Sequence, residues 1–217
     1  IIMVAIIIRS GASVYYIKYV INQPELTKYF LTSYSIAMVV GASITPLLTR
    51  FVDKKRLLII LMTTTGILSI GLFFVPNDAI WLIFTLNILI GLALGPKSPL
   101  AFSMYADTAD YTEWKTGRRA TGLTFAAANF SQKLGGAFAS FLIGSVLSAM
   151  GYVANTAQSN ASKMGIVVLM SFIPAVFALL ATFVMRYYTL DNKQIAIIQS
   201  ELKERKANEA QPTNTSS

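Results

Sequence analysis

Long apolar runs cut by short basic loops constrain this chain more than any other feature of its 217 residues. A membrane-spanning helix needs about 20 mostly apolar residues. Six stretches meet that length, at roughly 1–19, 30–48, 57–75, 80–102, 122–150 and 164–187. Charged residues make up only 13% of the chain, against about 25% in soluble domains. A lipid-exposed open sheet is excluded because its edges would find no hydrogen-bond partners, and a barrel would show alternation in place of continuous runs. The sequence therefore predicts an all-α membrane protein with six transmembrane helices. There is no cysteine and no histidine, which removes disulfides, thiolate or imidazole metal ligation and any histidine-based triad.

The net charge of +8 would suggest nucleic acid only if the bases formed a soluble face. Instead they sit in alternate loops: Arg50, Lys54, Lys55 and Arg56 after the second run, Lys115, Arg118 and Arg119 after the fourth, and Arg186, Lys193, Lys203, Arg205 and Lys206 after the sixth. The other loops hold only Lys18, Lys28 and Lys163. The positive-inside rule puts both ends in the cytoplasm, with membrane lipid as the surrounding partner and no nucleic acid. The chain opens inside an apolar run without methionine or a signal-peptide pattern, so a fragment of a longer protein is expected. Its domains read as a bundle over 1–187, a cytoplasmic amphipathic helix over 188–206 beginning near the capping sequence Asp191–Gln194, and a disordered polar tail over 207–217. Small residues recur every fourth position as Ser33, Ala37, Gly41 and Thr45, as Gly91 and Gly95, and as Gly136, Ser140, Gly144 and Ser148, a spacing that lets helices pack closely.

Three basic residues fall inside the runs, where each costs about 2.5–3.5 kcal/mol at the bilayer centre. Lys133 lies fourteen residues beyond Arg119, about 21 Å along a helix. Its face is small or polar (Asn129, Ala137, Ser140), so its ammonium is expected to face a bundle or a watered cavity. Arg9 sits in the first run. Lys97, in Gly95-Pro96-Lys97-Ser98-Pro99, is expected to snorkel towards a headgroup; the prolines should disturb the helix there. That stretch only superficially resembles a phosphate loop, because its spacing is wrong and Pro96 lacks an N–H.

The densest polar stretch runs from Tyr105 to Arg119. Asp107, Asp110 and Glu113 recur every three residues, with Arg118 and Arg119 after Gly117. Acids followed by bases suit charge-assisted pairs that close a cytoplasmic gate. A divalent-metal site and a merely solvated loop are the other readings.

The residues Tyr105 to Arg118, with Ser131-Gln-Lys133-Leu-Gly-Gly-Ala-Phe-Ala139 and Gly151-Tyr152-Val-Ala-Asn155, resemble the glycoside–pentoside–hexuronide:cation symporters of the major facilitator superfamily, which include the bacterial melibiose carrier. Tyr15-Tyr16-Ile-Lys-Tyr19 and Asp53-Lys54-Lys55-Arg56 fit the same pattern. The resemblance implies the C-terminal half, helices seven to twelve, of a twelve-helix major facilitator fold. It further implies sugar transport coupled to Na+ or H+ across a bacterial inner membrane, with no cofactor. Lys133 matches the family's helix-eleven lysine that couples sugar and cation sites. Asp107, Asp110, Glu113 and Arg118 match the loop whose ion pairs help close the inward side. Asn129 and Gln132 fall near sugar-pocket positions, and Arg9, Tyr15 and Tyr16 complete the candidate binding or coupling set. Ser98 stands where the melibiose carrier has an aromatic ring, which argues against melibiose. The family's cation-binding carboxylates lie in the N-terminal half, so this chain is expected to need that partner half to transport. The alternatives are an oligomeric six-helix channel or carrier subunit and a membrane-bound metal-dependent enzyme.

Overall fold

The computed structural model describes residues 1–210, and every regular element among them is helical. Helix α1 (Ile2–Tyr15) runs into a π-helical segment, Tyr16–Val20. A 3-10 turn at Pro24–Leu26 leads to α2 (Thr27–Ser43) and α3 (Thr45–Phe51). The two are bent by 45°, because Pro46 in the first turn of α3 lacks the N–H that would continue the ladder. Helix α4 covers Lys54–Phe73. Helices α5 (Ile80–Leu94) and α6 (Lys97–Thr116) form one 37-residue span interrupted at Gly95–Pro96. The remaining elements are α7 (Thr121–Ala149), α8 (Asn160–Met170), α9 (Phe172–Met185) and α10 (Asn192–Ala210).

Among the described residues four spans are long and apolar enough to cross a membrane, namely Ile2–Val20, Lys54–Phe73, Ile80–Thr116 and Asn160–Met185; the bent pair Pro24–Ser43 and Thr45–Phe51, taken as one span, makes a fifth. The remaining expected span is α7. At 29 residues it has the length, but Asn129, Ser131, Gln132, Lys133 and its other polar residues keep it outside the apolar set.

Helix α4 packs along α9, α2 along α5, and α1 against both α7 and α9. One core gathers Ile8, Ala12, Tyr16, Leu72, Ile83 and Met170, and a second gathers Leu57, Met62, Ile90, Leu94 and Met104. The α2–α5 seam follows the small-residue stripes. A methyl group at Gly91 would stand 2.9 Å from Tyr34 O and from Ala37 Cβ, and one at Gly95 would stand 2.7 Å from Ala42 N. The third stripe behaves differently: Ser140, Gly144 and Ser148 of α7 are exposed, and only Gly136 is turned partly inward, towards Ile7. Small side chains allow close packing but do not require it.

The extension beyond the bundle is held by α10. Its N-terminus is capped as its sequence indicates, with Gln194 N–H donating to Asp191 Oδ1 at 2.7 Å. Ile195, Ile198 and Leu202 bury against Tyr111, Trp114 and Leu190. The helix continues to Ala210, past the expected end at 206; the rest of the expected tail, 211–217, lies outside the described residues.

Adding a Cβ at Gly41 or Gly95 should force α2 and α5 apart. Gly41→Ala and Gly95→Ala are each expected to destabilise the protein by about 1–3 kcal/mol, read as a lower unfolding midpoint in detergent. Gly71→Ala, where a Cβ meets nothing within 4 Å, should leave the midpoint unchanged or raise it slightly.

Candidate functional site

Helix α7 presents three faces. Gly135, Gly136, Ala139 and Ile143 lie against Met3, Val4, Ile7 and Gly11 of α1 or are buried beside it. Leu123, Phe130, Leu134 and Phe141 form an exposed stripe of large apolar side chains, suited to lipid. The third face carries Ala126, Asn129, Lys133, Ala137, Ser140 and Gly144, all exposed. Lys133 makes no ion pair or hydrogen bond among the described residues. The expected small, polar surroundings of Lys133 are present, but this bundle does not enclose the ammonium.

Gln132, one residue before it, is half-buried and lines a cavity of about 340 Å³ between the start of α1 and helices α6, α7 and α9. Lys97 lines the same cavity. It does not snorkel: it is 9% exposed, and its Nζ donates to Met3 Sδ at 3.2 Å. The cause is its place mid-way along the 37-residue α5–α6 span, where α1 and the cavity wall cover it.

Arg9 is turned the other way, into the core, where it is 2% exposed. Its Nη1 donates to Met170 O at 3.1 Å and its Nη2 to Asn87 Oδ1 at 3.0 Å; Asn87 Nδ2 in turn donates to Phe30 O at 2.9 Å. The chemistry follows from Pro174. Met170 lies four residues before a proline, so its carbonyl has no helical N–H to accept, and α8 and α9 break at Ser171 between them. The guanidinium supplies that donor and ties α1, α5 and the last span together. Asn87 and Met170 gave no sign of this in sequence; Pro174 was the readable signal.

Tyr15 and Tyr16 diverge because one residue turns a helix by about 100°. Tyr16 joins the core, whereas Tyr15 lines a second cavity of about 500 Å³ with Lys18, Ser140, Tyr152 and Asn155. There Tyr152 donates to Tyr19 Oη at 3.2 Å and Lys18 to Asn155 Oδ1 at 2.9 Å. Burial, with the Tyr19 contact, pushes the Tyr152 phenol above its usual range.

At the opposite, basic end the acids do not share one site. Asp107 accepts from Lys54 Nζ at 2.6 Å. Asp110 accepts from Gln199 Nε2 at 3.1 Å. Glu113 pairs with Lys206 at 2.8 Å and with Arg119 at 3.7 Å. Trp114 Nε1 donates to Glu201 at 2.6 Å and Arg205 to Trp114 O at 3.1 Å, so α10 is laced to α6. Arg118 is exposed and in no ion pair among the described residues. Burial, then the charge of Asp107, pushes the Tyr188 phenol up. No group of three acids among the described residues converges as a metal site would require.

A family described as MFS/sugar transport protein matches residues 1–192. The chain belongs to this family. It is 32% identical over 206 residues to an inner membrane symporter of Escherichia coli (strain K12), covering 94% of this chain and 45% of that protein. It is 31% identical over 200 residues to an uncharacterized symporter of Bacillus subtilis (strain 168), covering 91% and 43%. It is 30% identical over 203 residues to a glucuronide carrier protein homolog of Escherichia coli (strain K12), again covering 91% and 43%. The chain thus spans less than half the length of these relatives. Family membership and the apolar spans make it a multi-pass membrane protein of a transporter family, not an enzyme family.

Two stability measurements test the clamps. Removing one partner of a largely buried ion pair leaves an uncompensated charge, at a cost of about 3–5 kcal/mol in full burial and less here, since the Lys54 side chain is 24% exposed. Lys54→Met alone should therefore destabilise more than Lys54→Met combined with Asp107→Leu, compared by unfolding in detergent. Arg9→Met should destabilise strongly in the native background. It should do so less with Pro174→Ala present, because residue 174 then offers Met170 O its own N–H; equal losses in both backgrounds would refute this account.

Proposed function

We propose that this chain is the C-terminal six-helix half of a cation-coupled sugar symporter in the bacterial inner membrane, with both its ends cytoplasmic. In this reading α7 is the sixth crossing. Its low apolarity reflects a face turned to the other half and not to lipid. The observation that carries the reading is the division of α7 into separate exposed stripes, with Lys133, Asn129 and Ser140 on one and Phe130, Leu134 and Phe141 on the other. A charged residue at membrane depth marks a substrate or ion path, and carriers of this kind bind substrate between halves near the midplane.

Lys133 then balances a carboxylate of the partner half. Na+ or H+ and the sugar together satisfy that carboxylate during the loaded crossing, and no cofactor takes part. Gln132 and Tyr15 border the sugar path. Arg9 and Tyr16 act indirectly, by fixing the helices that line it. At the cytoplasmic end, the pairs of Asp107, Asp110 and Glu113 with α4 and α10 make this half move as one body, and exposed Arg118 is the residue free to meet the other half on closure. The symporter and carrier names of the relatives support this reading.

The test is uptake of a panel of glycosides, pentosides and hexuronides by cells expressing the intact carrier, with and without Na+. Lys133→Ala is expected to abolish coupled uptake while leaving membrane insertion intact. Uptake at the unmodified level, with unchanged cation dependence, would reject the role given to Lys133.

A further inference from the structure

We propose that the cleft where α3 meets α4 holds the headgroup of an anionic phospholipid, with Arg50 and Arg56 on its phosphate. The inference goes beyond the transport reading and needs only a chain embedded in a membrane. Four basic residues cluster at this link, Arg50, Lys54, Lys55 and Arg56, and the fold uses two of them. Lys54 Nζ donates to Asp107 at 2.6 Å and Lys55 Nζ to Arg186 O at 3.0 Å. Arg50 makes no hydrogen bond or ion pair among the described residues. Arg56 meets only Asp53, with 3.8 Å from its Nε to the carboxylate, and an exposed pair of that length contributes little. Two guanidinium groups, with five N–H donors each, are therefore presented with no strong acceptor built into the fold.

Both arginines line a cavity of about 350 Å³, together with Phe51, Asp53, Ile60 and Asn192. Its depth follows from α4, which is an apolar span from its first residue, Lys54. Basic residues at the end of a span mark the headgroup level, and Ile60, six residues past Lys54, lies about 9 Å further along the helix. The cleft is thus charged at headgroup level and apolar below it. Leu47, Phe51 and Ile60 are all exposed there, as acyl chains require. Helix α4 packs against α9 and α5, and α7 against α1, so the cleft is no part of the polar face of α7. Two arginines against Asp53 leave an excess of one positive charge. A zwitterionic headgroup brings its own cation, whereas an anionic one brings a net charge of the opposite sign. Guanidinium forks bind phosphate oxygens in pairs, and basic pockets between membrane helices take such headgroups. A free inorganic anion would answer the charge and leave Phe51 and Ile60 without a counterpart.

The experiment measures the thermal unfolding midpoint of the intact carrier, delipidated in mild detergent. Phosphatidylglycerol is added to one sample, phosphatidylcholine with the same acyl chains to a second, and glycerophosphoglycerol, the headgroup without chains, to a third. Phosphatidylglycerol is expected to raise the midpoint by about 2 °C or more above phosphatidylcholine, and the free headgroup should raise it far less. Arg50→Gln combined with Arg56→Gln should remove the difference between the two lipids. Lys115→Gln combined with Lys203→Gln, which takes two charges from exposed positions outside the cleft, should keep it. Arg50→Gln alone breaks no hydrogen bond or ion pair among the described residues, so it carries the test if the double variant does not fold, and it should cut the difference by at least half. A wild-type carrier that does not distinguish the two lipids overturns the inference. So does a difference that survives the loss of both arginines, or one lost equally without Lys115 and Lys203. A free headgroup as effective as the lipid also overturns it, since the cleft would then be a site for soluble anions.

Discussion

In hydrocarbon a polar group has no water to bond with, and this bundle is organised around that lack. The clearest case is the carbonyl of Met170. Pro174 takes away its donor, and the chain answers from another helix with Arg9, 161 residues away in sequence. Asn87 uses its oxygen for Arg9 and its amide for Phe30 O, so one amide side chain joins α1, α2 and α5. Some span hydroxyls solve the same problem locally by bonding to the carbonyl one turn back, as Ser171 does to Val167 at 2.6 Å. Polar groups thus become fasteners between helices rather than liabilities.

Other polar side chains find no nitrogen or oxygen partner among the described residues, Tyr34, Thr65 and Ser69 inside the bundle and a second group at its openings. Lys97, Ser98, Ser131 and Gln132 meet a cavity, and Lys133 meets the open side of α7. The bundle that presents them is tight. Backbone contacts at Gly41, Gly91 and Gly95 leave no space for a methyl group, and the α4–α6 and α6–α10 ion pairs brace the basic end. A rigid bundle with polar groups directed outward fits the carrier reading proposed above.

Much of this architecture was readable in one dimension. Each span closes its own backbone hydrogen bonds, so an apolar run of sufficient length announces a helix without reference to its neighbours. The α2 and α5 small-residue stripes and the Asp191 cap are equally local and appeared where expected. The partners of the acids did not. Asp107, Asp110 and Glu113 share a face by spacing, yet each finds its partner on α4, on α10 or beyond Gly117. The small stripe of α7 suggested packing and turned out to be exposed, because small residues serve a helix contact and an open polar face equally well.

By itself the sequence determined that the chain is helical, lies in a membrane, carries its basic residues mainly in alternate loops between apolar runs and resembles a symporter family, since each of those properties depends on composition and short-range periodicity. The tertiary structure decided which of three buried or intramembrane cations is a fastener and which are not. Arg9 Nη1 finds its acceptor only because the break before Pro174 comes to rest beside it, Lys97 is covered only because α1 crosses in front of it, and Lys133 stays open because no other helix among the described residues crosses its face. Those are facts of how helices pack, and no residue carries them alone.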